Sequence, residues 1–280
     1  MRALFLIPGD AVRQLQAMPA VAAVADQLSA AVQVVCAPAL ASGWGLLPVV
    51  EKVIPFDFSA ANLADWANLL GSVREPDFQL CINLAEGRQV DLMLSMSHIP
   101  TRVARGGFSA TETVAPASAG WGAQALEPYL KPIGVRLNAD AFRLSLPRAE
   151  VNKAAAGLPA GAGPLLLLAP NGSANDWPLA QWQGLPGLIS SRLSDLRSQL
   201  LPPAATFPLR PRAAQLAAAD VVLASEPATI ELALLLGVPL VALGRSVADL
   251  PTRQGVQGLA DGSSLAMLEP AQVLCALGFA

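Results

Sequence analysis

The run 220–244, DVVLASEPATIELALLLGVPLVALG, permits few folds. Two uniformly apolar stretches, 221–224 and 240–243, are too short for ordinary helices and read as buried strands. Between them lie a polar turn, a helical stretch over 229–236 and a Gly-Val-Pro stop. Strands with no polar face, joined through a helix, describe a parallel β-α-β unit whose sheet is covered on both sides. Two polar residues, Thr229 and Glu231, fall where the helix begins. Backbone N–H groups are unpaired there, which suits a phosphate or a sugar hydroxyl. The same residues also fit a capped helix, with Ser225 or Thr229 as cap and Glu231 favoured in the first turn by the helix dipole.

The same alternation runs along the whole chain. Strand patterns fall at 3–7, 32–36, 52–56, 78–84, 102–104 and 165–169. Helical spacing marks Leu15, Met18, Ala22, Ala25 and Leu28, then Leu63, Trp66, Leu70 and Val73, with further helices expected at 90–96, 125–133, 188–200 and 265–277. Residues 106–125 read as a Gly/Ser/Ala-rich loop and 148–163, ending LPAGAGP, as a linker. We therefore expect an α/β protein of two domains, 1–150 and 164–280, each with a parallel sheet. Ligands of such sheets lodge at the carboxyl ends of the strands. No GxGxxG or Walker loop is present, so neither a dinucleotide nor a P-loop reading is supported.

Composition narrows the function. A net charge of −3 and the lack of a basic, aromatic-interleaved stripe argue against nucleic-acid binding. An apolar fraction of 53% raises the question of a membrane, but Glu231 and Pro239 interrupt the longest apolar run, and MRALFLIPGD reads as a first strand rather than a signal peptide. The expectation is a soluble cytoplasmic protein with at most peripheral membrane contact. Cys36, Cys81 and Cys275 follow no metal-ligand spacing, and a single histidine, His98, leaves zinc sites and Ser-His-Asp triads unsupported.

Seven segments, in order, carry a resemblance: LFLIPGD with MPAVAAVADQL, VEKVIPFDFS, LADWANLLGSVRE, DFQLCINLAEGRQ, PTRVARGG, LLLLAPNGSANDWPLAQW and the final LAAADVVLASEPATIELALLLGVPLVALG. Together they resemble glycosyltransferase family 9, the ADP-heptose:lipopolysaccharide heptosyltransferases, especially the cyanobacterial type. The resemblance implies a GT-B architecture of two Rossmann-like domains, the acceptor on the N-terminal one and a nucleotide-sugar donor, an ADP-sugar, on a reduced C-terminal one. It implies no bound metal or other cofactor, and a glycolipid acceptor such as lipopolysaccharide core. For the donor it implies Asn171, Gly172, Ser173, Trp177, Glu226, Thr229 and Glu231. For the catalytic base it implies Asp10, and for an anionic group on the acceptor side Arg13.

The chain departs from the family pattern at each motif. The ungapped counterpart of the family's base is Arg13, which cannot accept a proton at working pH, while Gly9-Asp10 stands three residues early. Asp10 is either a shifted base or a cap on the helix that follows. Where the family places Lys or Arg before Trp-Pro, this chain has Asn175-Asp176, a charge that would repel a diphosphate. Asn171-Gly172-Ser173 fits either phosphate donors or a tight Asn-Gly turn. Glu226-Pro227-Ala228-Thr229-Ile230-Glu231 lacks the family's Gly and His, but resembles the donor motif of lipid A disaccharide synthases, where a Glu bonds sugar or ribose hydroxyls. The interval 182–220 looks shortened to one helix and the Pro-rich LLPPAATFPLRPR, and Arg192, Arg197, Arg210 and Arg212 form either a phosphate-attracting patch or a solvated face. Two functions remain: a divergent glycosyltransferase, or a non-catalytic binding or scaffold protein that keeps the fold.

Overall fold

Short apolar runs spaced by amphipathic helices bury both faces of a sheet when the strands run parallel, and the computed structural model adopts that arrangement twice. It describes residues 1–115, 117, 119–203, 208–260 and 265–279, divided into two units, Met1–Phe142 and Arg143–Ala280.

In the first unit the elements are β1 (Arg2–Leu6), α1 (Ala11–Gln27), β2 (Ala31–Cys36), β3 (Val50–Pro55), α2 (Leu63–Arg74), β4 (Leu80–Asn83), α3 (Arg88–Met96), β5 (Thr101–Ala104), β6 (Glu112–Thr113) and α4 (Glu127–Leu130). The strands pair in parallel in the order β3-β2-β1-β4-β5-β6. Strand order thus reverses between β1 and β4. Leu4 and Leu6 of β1 join Leu69, Val73, Val90 and Leu94 from α2 and α3 in one core. Buried Gln14 locks α1 in place, donating to the Ile7 carbonyl at 2.9 Å and accepting from the Trp44 indole at 3.0 Å.

The second unit holds α5 (Arg148–Ala156), β7 (Leu165–Ala169), α6 (Leu179–Ser190), β8 (Arg197–Leu200), α7 (Leu209–Ala217), β9 (Val221–Ala224), α8 (Pro227–Leu236), β10 (Leu240–Leu243), β11 (Val256–Leu259) and α9 (Pro270–Ala276). Its parallel sheet runs β11-β10-β9-β7-β8, reversing between β7 and β9. The stop expected after α8 is Gly237, in the left-handed region at φ +76°, where a Cβ would lie 2.4 Å from Arg143 Nε. Among the described residues no helix is long and apolar enough to cross a membrane.

Several sequence expectations need correction. The helix expected at 188–200 is α6 followed by strand β8. Leu193 and Leu196 continue the helical spacing but lie in the irregular segment between α6 and β8, packed on the core. The linker expected at 148–163 begins with α5. That helix buries none of its residues, so it carries no apolar stripe for periodicity to reveal. The interval 182–220 holds β8 and α7 besides the end of α6, and of its Pro-rich run residues 204–207 lie outside the described residues. The helix expected at 265–277 is split, because Pro270 fits only the first turn of α9. Positions 116 and 118 of the predicted 106–125 loop also lie outside the described residues.

Candidate functional site

In open α/β sheets, ligands bind outside the carboxyl ends of the strands where strand order reverses. In the second unit that point lies between the segments following β7 and β9, and hydrogen bonds tie them together. The amides of Ser225 and Glu226 donate to the Ala169 carbonyl at 3.0 and 3.2 Å. The Asn171 amide donates to Ser225 Oγ at 2.8 Å. Ser225 therefore holds the neighbouring loop and does not cap α8.

Asp176, the residue expected to repel a diphosphate, is buried in its own loop. One carboxylate oxygen accepts from the Gly172 amide at 2.8 Å, the other from the Trp177 amide at 2.8 Å. With both oxygens on backbone donors, the carboxylate organises the 171–177 loop. Gly172 takes φ +73°, as a tight Asn-Gly turn requires, and Asn171 Nδ2 reaches Ser173 Oγ at 3.4 Å. Trp177 is carried into the core. Its indole N–H donates to the Leu268 carbonyl at 2.8 Å, and its ring meets Trp182 edge-on at 5.3 Å.

The cap of α8 is Glu226, not Ser225 or Thr229. Its carboxylate accepts from the amides of Ala228 at 3.1 Å and Thr229 at 2.6 Å. Arg212 of α7 is fully buried. Burial pushes its guanidinium below the usual arginine range, and the Glu226 charge acts against that push. The carboxylate thus serves the orphan N–H groups and a buried cation together. Replacing Glu226 with alanine is expected to cost about 1–2 kcal/mol, the upper half of the range for a lost N-cap. A urea midpoint equal to wild type, with unchanged slope, would refute this.

One turn further, Glu231 is 1% exposed and accepts from Arg245 Nη2 at 3.0 Å; the Arg245 side chain is 25% exposed. Arg245 follows β10, which lies beside β9 in the sheet. Thr229 is fully buried, and its hydroxyl has no hydrogen-bond partner among the described residues. Sequence reasoning missed Arg245. Its only signal was its place directly after an apolar strand and a glycine.

Of the two readings of the four arginines, a phosphate-attracting patch does not assemble. Arg192 donates to the Phe279 carbonyl, and Arg197 to the carbonyls of Gly163 and Pro159. Arg210 makes two bonds to Glu150, at 2.8 and 2.7 Å, while Arg212 is internal. Each holds local structure.

In the first unit a recess of about 480 Å³ opens at the reversal between β1 and β4, lined among others by Asp10, Arg13, Gln16, Glu86, Arg105 and Tyr129. Asp10 caps α1, Oδ1 accepting from the Arg13 amide at 3.1 Å, so the capping role holds at this residue while it also lines the recess. Glu86 and Arg105 pair at 3.3 Å on the surface. Burial raises the Tyr129 phenol above its usual value; Arg105 opposes this, Glu86 adds to it and Arg13 opposes it. The recess brings the Asp10 carboxylate and the guanidinium groups of Arg13 and Arg105 into one lining.

Two Rossmann-like units with parallel sheets define the GT-B class of glycosyltransferase folds. No protein-family model and no curated protein sequence matches the chain. Solved structures do. A glycosyltransferase family 9 protein from Veillonella parvula superposes with a TM-score of 0.79 at 13% identity, over 99% of this chain and 96% of that one. An E. coli heptosyltransferase, WaaC, solved with ADP-2-deoxy-2-fluoro heptose, matches at 0.72 and 16% identity over 99% of both chains. E. coli ADP-heptose lipopolysaccharide heptosyltransferase II matches at 0.71 and 17% identity, over 99% and 98%. Within the GT-B class, the chain therefore has the fold of the family 9 heptosyltransferases.

Proposed function

We propose that the protein is a glycosyltransferase that moves a sugar from a nucleotide-sugar donor, held at the head of α8, to an acceptor received in the recess of the first unit. The observation that carries this reading is the buried Glu231 carboxylate, held by Arg245 beside the strand-order reversal of the second sheet. In the donor motif of lipid A disaccharide synthases, which this segment resembles, a Glu bonds sugar or ribose hydroxyls. The fold shared with nucleotide-sugar enzymes over almost the whole chain supports the assignment. The acceptor hydroxyl attacks the anomeric carbon, the bond to the diphosphate breaks, and Asp10 takes the hydroxyl proton. Asn171, Gly172 and Ser173 border the donor, while Glu226, Thr229 and Trp177 shape the helix and loop that hold it.

The donor in this reading is an ADP-sugar, with heptose as the sugar and a cell-envelope glycolipid as the acceptor, met at the cytoplasmic face of the membrane. The support is again the likeness to heptosyltransferases, one solved with an ADP-heptose analogue. Calorimetric titration with ADP, UDP and GDP is the test. Saturable binding of one base in preference to the others is expected, with ADP favoured. The absence of binding by all three at millimolar concentration would leave a GT-B-fold binding or scaffold protein in its place.

A further inference from the structure

A nucleotide-sugar enzyme must stabilise the diphosphate that leaves, and the cation expected before Trp177-Pro178 is missing here. The topology narrows where a substitute can stand. The segments following the carboxyl ends of β7, β8, β9, β10 and β11 read PNGSANDWP, LPPAATFP, SE, GRSVAD and ADGSSLAMLE. Together they contain one basic residue, Arg245. The other nearby arginines are committed elsewhere. Arg253 reaches the Leu234 carbonyl in the last turn of α8, the opposite end of that helix. Arg210 is bound through two nitrogens to Glu150, and Arg212 is fully buried.

Arg245 is placed differently. Its guanidinium donates through Nη2 to Glu231, and a quarter of its side chain meets solvent. A guanidinium donates along several edges in a fixed plane, so one edge on a buried carboxylate orients the remaining N–H groups. Partial burial also strengthens its attraction for an anion relative to a fully solvated side chain. Glu231 is buried and already holds Arg245, so the guanidinium is oriented without a ligand.

We propose that Arg245 is the diphosphate-binding residue of the second unit, with one edge of its guanidinium on Glu231 and another on phosphate oxygens of the donor. It takes the place of the cation absent before Trp177-Pro178. This rests on the donor site proposed above, which it supplies with the charge neutralisation the sequence motifs lack.

The test compares ADP, UDP and GDP with their nucleosides, and with pyrophosphate alone, on wild type and on Arg245→Gln. Binding of the preferred nucleoside diphosphate and of pyrophosphate is expected to weaken about 10- to 100-fold, as for loss of a charge-assisted hydrogen bond, with the nucleoside changed less than about threefold. Arg245→Lys, which keeps the charge, is expected to recover part of the loss. If Arg245→Gln does not fold, Glu231→Gln combined with Arg245→Gln removes both charges and is expected to show the same loss for pyrophosphate. An unchanged preference for diphosphate over nucleoside in the glutamine variants would overturn the role of Arg245 and leave the donor site standing. Pyrophosphate held by wild type and lost in the variants, with no nucleotide bound, would remove the donor reading and keep the anion site. Binding of neither by wild type would overturn both.

Discussion

Glu231→Ala is expected to be the most damaging single change at the head of α8, lowering stability by about 2–4 kcal/mol and removing nucleotide binding. The carboxylate is 1% exposed and 3.0 Å from Arg245 Nη2. Truncating it strands a guanidinium whose side chain is three-quarters enclosed and leaves a void beside α8. Removing one partner of a fully buried pair costs about 3–5 kcal/mol; the exposed quarter of Arg245 lets water recover part of that. Glu231→Gln keeps the volume and one acceptor, so its loss is expected to be the smaller of the two. Guanidinium unfolding of both variants, read as a midpoint shift at constant slope, measures the difference. Equal midpoints for Glu231→Ala and wild type would mean that Arg245 finds another partner and the pair does not organise this helix.

The second large effect falls on Trp177. Its ring is 2% exposed, packed edge-on against Trp182 at 5.3 Å, with the indole N–H on the Leu268 carbonyl at 2.8 Å. Trp177→Ala removes a large buried ring and a buried hydrogen bond, and is expected to cost about 3–5 kcal/mol. Trp177→Phe keeps most of the apolar body and orphans only the carbonyl, an expected loss of about 1–3 kcal/mol. Because Asp176 bridges the amides of Trp177 and Gly172, loosening the ring also loosens the 171–177 loop. Nucleotide affinity of Trp177→Phe is therefore expected to fall modestly while its fold persists. A thermal midpoint for Trp177→Ala within a degree or two of wild type would sink the assignment of this ring as the anchor of the loop.

Much of the fold was legible along the chain. Runs such as Leu165–Ala169 and Leu240–Leu243 have no polar face, so they had to lie between covered faces of a parallel sheet. The turn of chain at Glu226–Glu231 was also visible as a polar island in apolar surroundings. Failures came where local pattern and tertiary role diverge. Leu193 and Leu196 look helical because they are spaced to reach the same core as α6, yet the chain has already turned toward β8. α5 left no stripe because it buries no residue.

The site was less legible. At Asp176 the charge alone suggested repulsion of a phosphate, whereas two backbone amides in its own loop satisfy both oxygens. At Glu226 the long side chain reaches forward to the amides of Ala228 and Thr229 and takes the cap that shorter neighbours were expected to fill. By itself, then, the sequence determined the alternation of strand and helix, the parallel sheets and the place where the second sheet presents a helix start, because these follow from local burial and periodicity. Only the tertiary structure decided which charges meet. Strand order sets β10 beside β9, and that adjacency brings Arg245 across fourteen positions of sequence to Glu231. A contact of that kind depends on how strands are ordered in a sheet, which no local pattern in the chain encodes.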